Sequence, residues 1–192
     1  MLFAKTIWIV ALASLAPLSS LPGVDVKALF RSRVEGLSPA APAFAPGTGD
    51  MVFLFLSPDC PLCKNYSLIL NQLYKQYGAD TRFYGIIPGK AESAASVDEF
   101  IRKYHILFPL YRDPDRTVVK RLFAEVTPQA IVLDRTGRFV YSGLIDDWVA
   151  DLGVQRAHIS RHYLQEALDA EKMGKLPVTG RTTPIGCLIN VF

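Results

Sequence analysis

Hydrophobic positions change period repeatedly between residues 50 and 173, and each change marks an element. Met51-Val-Phe-Leu-Phe-Leu56 is an unbroken apolar run between Gly49-Asp50 and Ser57-Pro58, the pattern of a strand buried on both faces. Directly after it the spacing lengthens to three and four, at Leu62, Tyr66, Ile69, Leu70, Leu73, Tyr74 and Tyr77. With Pro61 suited to a first helical turn and Gly78 to a helix end, this predicts a helix whose apolar stripe, tyrosines included, faces a core. Arg82-Phe-Tyr-Gly-Ile-Ile87, closed by Pro88-Gly89, predicts a second strand. Ser96 to Tyr104 predicts a helix with Ser96 as its cap and Phe100 and Ile101 buried. Strand, helix and strand in that order make a right-handed crossover unit.

The second half opens with Phe108-Pro-Leu-Tyr111, an acidic turn at Asp113-Pro-Asp115 and a short helix around Val118 to Ala124. Gln129-Ala-Ile-Val-Leu133 and Arg138-Phe-Val-Tyr-Ser142 flank Asp134-Arg-Thr-Gly137, whose glycine accepts positive φ, so an antiparallel hairpin is expected. A closing helix from about Gln155 to Met173 would bury Ile159, Tyr163, Ala167 and Leu168, with Asp146-Asp147 capping this closing segment. The expected class is α/β, a central mixed β-sheet flanked by helices.

The flanks read differently. Lys5 precedes the apolar run Thr6 to Ala16, which gives way to Pro17-Leu-Ser-Ser20. A positive start, about 7–15 apolar residues and a small-residue exit describe a secretory signal, whereas a spanning helix needs about 20 apolar residues. Residues 1–22 are therefore expected to be a signal peptide, with cleavage open between an exit at Ala11 and Ala13 and one at Ser19-Ser20. The bulk of the chain is then exported, periplasmic or otherwise extracytoplasmic, and membrane-attached only if the segment stays uncleaved. No cysteine closely follows the run, which gives no support to a lipid-anchored terminus. Residues 23–50 form a Pro/Ala-rich lead-in, expected to be extended because repeated prolines deny it regular hydrogen bonds. Residues 51–173 form the folded domain and 174–192 a tail carrying Cys187.

At 192 residues, half of them hydrophobic, the chain suits one domain with one buried core. Its net charge of +3 is spread thinly, without a Lys/Arg block, which argues against nucleic acid as a partner. Three cysteines cannot all pair within one chain, and an exported structural framework would normally use an even count. Cys60-Pro-Leu-Cys63 lies where the buried strand meets the amphipathic helix. Unpartnered first-turn N–H groups and aligned peptide dipoles there favour a Cys60 thiolate, and Cys63 sits one turn along, in reach of a mixed disulfide formed at Cys60.

Strand, Cys60-Pro-Leu-Cys63, helix, strand, then Val126-Thr127-Pro128 ahead of a hairpin resembles the thioredoxin superfamily from about Met51 to Met173. Phe55-Leu-Ser-Pro-Asp-Cys60 and Thr127-Pro-Gln-Ala-Ile-Val-Leu-Asp-Arg-Thr-Gly137 are similar to its redoxin branch, which holds alkyl hydroperoxide reductase/thiol-specific antioxidant-like proteins and exported thiol reductases. The resemblance implies a thioredoxin-like fold and a cis bond at Pro128. It also implies that Thr127 lies beside the cysteines, offering backbone groups to a substrate chain. The implied activity is thiol–disulfide exchange on exported proteins: Cys60 attacks, Cys63 resolves, the partners are protein disulfides or dithiols and a further redox protein, and no cofactor is needed because the dithiol stores the electrons.

The chain also departs from these relatives. It lacks the Trp-Cys-Gly-Pro-Cys segment, and Leu54 stands where thioredoxins carry a buried acid, so the sequence identifies no proton acceptor for Cys63, with Asp59 and Lys64 as nearby candidates only. Peroxidase-type redoxins keep a Pro and a Thr ahead of the attacking cysteine; here the Pro is absent and Ser57 replaces the Thr. Peroxide reduction by Cys60 is thus a second reading. A third is a copper-binding assembly factor using Cys60 and Cys63, with His105, His158 or His162 supplying a further ligand. His158 and His162 stand four apart on the expected closing helix, without a third ligand nearby, and read as solvated or packing side chains, so no metal site is assigned. Cys187 in Thr183-Pro-Ile-Gly-Cys187 has two readings: a relay thiol that visits Cys60, or a small buried apolar residue.

Overall fold

The computed structural model describes residues 23–38 and 41–189. The predicted signal segment lies outside them. The chain runs through α1 (Val26–Phe30), β1 (Glu35–Gly36), β2 (Met51–Phe55), α2 (Pro61–Tyr77), β3 (Arg82–Pro88), α3 (Ala94–Tyr104), β4 (Leu110–Asp113) and α4 (Thr117–Leu122). It continues through β5 (Val126–Thr127), β6 (Gln129–Leu133), β7 (Phe139–Gly143), β8 (Val149–Asp151), β9 (Val154–Gln155), α5 (Tyr163–Lys172) and β10 (Cys187–Leu188).

A mixed six-stranded sheet in the order β1-β4-β3-β2-β6-β7 forms the centre. β2 is parallel to β3 and β3 to β4, whereas β6 pairs antiparallel with both β2 and β7. All five β2 side chains are buried, as an unbroken apolar run requires. Successive side chains point to opposite faces. Val52 and Leu54 therefore join a core with Tyr66, Leu70, Leu164 and Leu168 from α2 and α5. Met51, Phe53 and Phe55 join a second core with Leu29 of α1 and Val118, Val119 and Leu122 of α4. This is the thioredoxin-like arrangement of helices on both faces of a mixed sheet.

The lead-in departs from a plain extended chain. Asp25 accepts a hydrogen bond from Ala28 N and caps α1, whose Leu29 is fully buried. Five residues are too few to show a helical period. The proline-rich stretch then supplies carbonyl acceptors: Tyr84 Oη donates to Ala45 O and Tyr111 Oη to Pro42 O. Phe44 packs edge-on against both tyrosine rings. β1 adds an edge strand to β4.

Two further boundaries differ from the sequence pattern. α3 is capped by Ser93, whose hydroxyl accepts from Ser96 N, so Ser96 is the recipient of the cap and not its source. The closing helix begins at Tyr163, eight residues later than its pattern suggested. Gly153, at φ +78°, turns the chain into the β8–β9 hairpin instead, and Asp147 accepts from Ser160 N and Arg161 N, pinning the approach to α5. Leu164, Ala167 and Leu168 are buried, while Ile159 and Tyr163 are half-buried.

Phe53 sits mid-strand, fully buried and stacked on Tyr84 at 4.9 Å. Phe53→Ala leaves a cavity in a sheet paired on both sides and is expected to cost about 3–5 kcal/mol of stability, read as a lower urea midpoint with an unchanged slope.

Candidate active site

Cys60 is the cap residue of α2 and has extended backbone angles, φ −77° and ψ 118°, with Pro61 opening the first turn. The turn leading into it is built by Ser57. Ser57 O accepts from Cys60 N at 3.1 Å, and Ser57 Oγ accepts from Asp59 N while donating to Glu92. Ser57 N reaches Cys63 Sγ at 3.4 Å. Cys63 is completely buried and Cys60 is only 2% exposed. Leu54 and Tyr66 belong to the same core as both sulfurs.

The register β2–β6 places Phe55 opposite Gln129, so the chain leaving β2 runs beside the chain entering β6. The Thr127–Pro128 peptide is cis, as the resemblance implied. Cys60 Sγ donates to Thr127 O at 3.1 Å. Gln129 Oε1 accepts from Glu125 N and Val126 N and holds this loop from behind. Cys60, Cys63, Thr127 and Pro128 thus occupy one place.

Cys187 reaches the same place. β10 pairs antiparallel with β5, Cys187 opposite Thr127 and Leu188 opposite Val126, extended by Ile189 N donating to Glu125 O. Cys187 is exposed, so its reading as a small buried apolar residue is overturned. The tail that carries it has no apolar periodicity, and pairing between two-residue strands leaves no sequence trace; Gly186 was the one available signal. A β-carbon there would stand 2.3 Å from Thr127 O.

Electrostatics separate the three thiols. The Cys63 side chain, then the Cys187 side chain and the N–H groups of both residues, stabilise the Cys60 anion and hold its pKa down at about 4 against the opposing effect of burial. As a thiol Cys60 has Thr127 O as its acceptor; as an anion it loses that bond and gains these donors. The α2 N-terminus favours the same charge. Burial pushes the Cys63 thiol well up, reinforced by the Cys60 sulfur beside it. Burial and the Cys60 anion also raise Cys187, to about 11. At neutral pH the site holds one thiolate and two thiols.

Other expected residues fall elsewhere. Asp59 and Lys64 line a surface recess with Ser96 and Glu99. His158 precedes α5 and His162 is its cap residue, both exposed, so they do not share a helical face. Among the described residues, no three His, Cys, Asp or Glu side chains gather where they could hold a metal, and no helix is long and apolar enough to cross a membrane. Sequence reasoning missed the environment of Asp146, which is buried and accepts from Tyr66 Oη at 2.6 Å and Trp148 N at 2.9 Å. Neither residue caps α5, whose cap residue His162 has no side-chain cap hydrogen bond; Asp147 instead accepts from Ser160 and Arg161 in the segment just ahead of it.

A dithiol at the junction of a central strand and a helix, beside a cis-proline loop, defines a thioredoxin-like redox protein. Residues 43–142 match the AhpC/TSA family, and the chain belongs to it, a redoxin and an oxidoreductase in the general sense. A hypothetical protein of Sinorhizobium meliloti 1021 is similar at 27% identity, with 73% of this chain and 78% of that one covered and a TM-score of 0.64. An uncharacterised conserved protein of Geobacillus kaustophilus is similar at 25% identity, with 74% and 77% covered and a TM-score of 0.65. No curated protein matches the chain.

The thiolate of Cys60 exists above its depressed pKa and is lost as pH falls through it. The rate of Cys60 alkylation by iodoacetamide is therefore expected to hold at pH 6 the value it has at pH 8 and to decline only towards pH about 4, with Cys63 and Cys187 unreactive there. An ordinary thiol, with a pKa of about 8.5, would already be slow at pH 6. Peptide mapping of the alkylated protein across pH distinguishes the two.

Proposed function

We propose that this protein is a thiol–disulfide oxidoreductase acting on exported polypeptides, with Cys60 as nucleophile and Cys63 as resolving thiol. The observation that carries the reading is the split between the two sulfurs: an anion-stabilised Cys60 at the helix cap and a buried, protonated Cys63 against it. The Cys60 thiolate attacks one sulfur of a substrate disulfide, forming a mixed disulfide and releasing a substrate thiolate. Cys63 then attacks Cys60, closing the Cys60–Cys63 bond, expelling the second substrate sulfur and passing its proton to it. The substrate gains two electrons and the dithiol loses two; the reverse sequence oxidises a substrate dithiol. Thr127 offers backbone groups to the substrate chain and Pro128 shapes the groove. Export rests on the apolar run that follows Lys5.

Ser57 weighs against peroxide as the substrate. Its single hydroxyl proton goes to Glu92 and its oxygen to Asp59 N, so it has none to give a peroxide at Cys60.

Stabilising the Cys60 thiolate lowers the energy of the reduced pair and moves the couple towards oxidising values. Equilibration of the signal-free protein in glutathione buffers with thiol trapping is expected to show a reversible two-electron couple less negative than the roughly −270 mV of thioredoxin. Cys60→Ser should abolish exchange, and Cys63→Ser combined with Cys187→Ser should accumulate a mixed disulfide with the substrate. A wild-type protein with no reversible couple would remove the exchange reading.

A further inference from the structure

The C-terminal segment crosses the sulfur site as a strap held on both sides. On one side Ser142 N donates to Gly180 O and Thr182 N to Ser142 O, attaching the strap to β7. Thr182 Oγ1 accepts from Leu144 N at 2.8 Å and lies 2.8 Å from Tyr141 Oη, and Arg161 donates to Thr179 Oγ1. On the other side β10 pairs with β5, and Ile189 packs at the margin of the second core. Between these anchors Gly186 is buried against Thr127 O, and the next residue is Cys187.

An extended chain laid antiparallel on Val126–Thr127, main chain to main chain, with a cysteine at the attacking sulfur, is the geometry a polypeptide substrate needs for strand addition at an exposed edge. The protein's own tail has that geometry. Cys187 stands opposite Thr127, the residue whose carbonyl accepts from Cys60 Sγ.

We infer that the C-terminal strand is an internal substrate: it occupies the polypeptide-docking edge beside Pro128, and Cys187 exchanges with Cys63 for a disulfide to Cys60. This rests on Cys60 being the nucleophile of the proposed exchange and extends it to a third sulfur. Starting from the Cys60–Cys63 disulfide, the Cys187 thiolate attacks Cys60 Sγ. The Cys60–Cys187 bond forms, the Cys60–Cys63 bond breaks, and Cys63 leaves as a thiolate that takes the proton Cys187 released. No electron enters or leaves the protein, so the step is an isomerisation within one oxidation level. After burial, the Cys60 sulfur is what holds Cys187 protonated, through a hydrogen bond and through its charge. Once Cys60 is in a disulfide its charge is gone, and Cys187 ionises more readily when attack is called for.

Two consequences follow for the site. An external polypeptide takes the docking edge only after β10 leaves it, so the strap competes with substrate. The Cys60–Cys187 disulfide locks the strap down, whereas the Cys60–Cys63 disulfide leaves it held by non-covalent contacts alone.

The test uses Cys63→Ala oxidised with glutathione disulfide, followed by alkylation and peptide mapping. The expected product is an intramolecular Cys60–Cys187 disulfide in more than half of the oxidised protein, formed as Cys187 expels glutathione from Cys60. Cys60 remaining as a stable glutathione adduct, with Cys187 free to alkylate, would overturn the inference. Gly186→Ala in the same background forces a β-carbon towards Thr127 O and is expected to lower the yield of Cys60–Cys187 relative to the adduct at least tenfold; an unchanged yield would refute strand docking as its cause. Gly186→Ala alone, with Cys63 present, should keep the Cys60/Cys63 couple, which shows that the fold survives. Because the first readout does not use Cys63, a wild-type protein lacking a reversible Cys60/Cys63 couple would sink the proposed function, whereas a missing Cys60–Cys187 bond sinks only the role of the tail.

Discussion

Cys60 meets Thr127 because β2 and β6 run antiparallel with Phe55 opposite Gln129. That one register brings the end of the strand that delivers the cysteine beside the start of the strand that delivers the proline loop. A one-residue slip would send every β2 side chain to the opposite face, pushing Phe53 and Phe55 towards α2 and Val52 and Leu54 towards α4. Both faces of β2 are buried against side chains of different size, so the slip is resisted along the whole strand and not at the site alone. The precision of the sulfur geometry is thus inherited from the packing of the sheet.

On that scaffold the chemistry needs little more than a difference in hydration. Cys63 lies inside the core with Leu54 and Tyr66, where no water compensates a charge, so it stays protonated. Cys60 is equally hidden from solvent but stands where a helix begins, and the donors around it replace water. Thioredoxins place a carboxyl where this chain has Leu54. The apolar substitution keeps the neighbourhood dry and leaves the Cys63 proton without an adjacent acid to take it, so in the proposed exchange the departing substrate sulfur is the group at hand to accept it.

The sheet and the dithiol were legible in the sequence because both are written locally. A five-residue apolar strand, a 17-residue amphipathic helix and an Asp-Arg-Thr-Gly hairpin each carry their period or turn chemistry in consecutive residues. What escaped is decided by distant partners. The start of α5 depends on Asp147 reaching across to Ser160 and Arg161, and α1 is a single capped turn whose Leu29 finds its pocket under α4. Ser93 and Ser96 are both plausible caps by residue type, and only the backbone path tells the one that accepts from the one that donates. Cys187 is the sharpest case: two paired residues join it to Thr127 from 60 positions away, and no periodicity of two residues can announce that.

The strap also resolves a structural difficulty of its own. β5 lies outside the main sheet, and without β10 its outward N–H and C=O groups would form an open edge beside a reactive thiolate, which invites pairing with any extended chain. Covering that edge with the protein's own tail discriminates by strength. Each main-chain bond contributes about 0.5–1.5 kcal/mol net, so a strand of two residues resists casual contacts yet gives way to a polypeptide that matches its bonds and adds side-chain contacts. At the paired residues themselves the tail adds little, since Cys187 and Leu188 are both exposed, and its apolar packing comes from Ile185 and Ile189 on either side. It is held firmly at Thr182 and weakly at the sulfur, the arrangement of a strand that leaves the site without leaving the molecule.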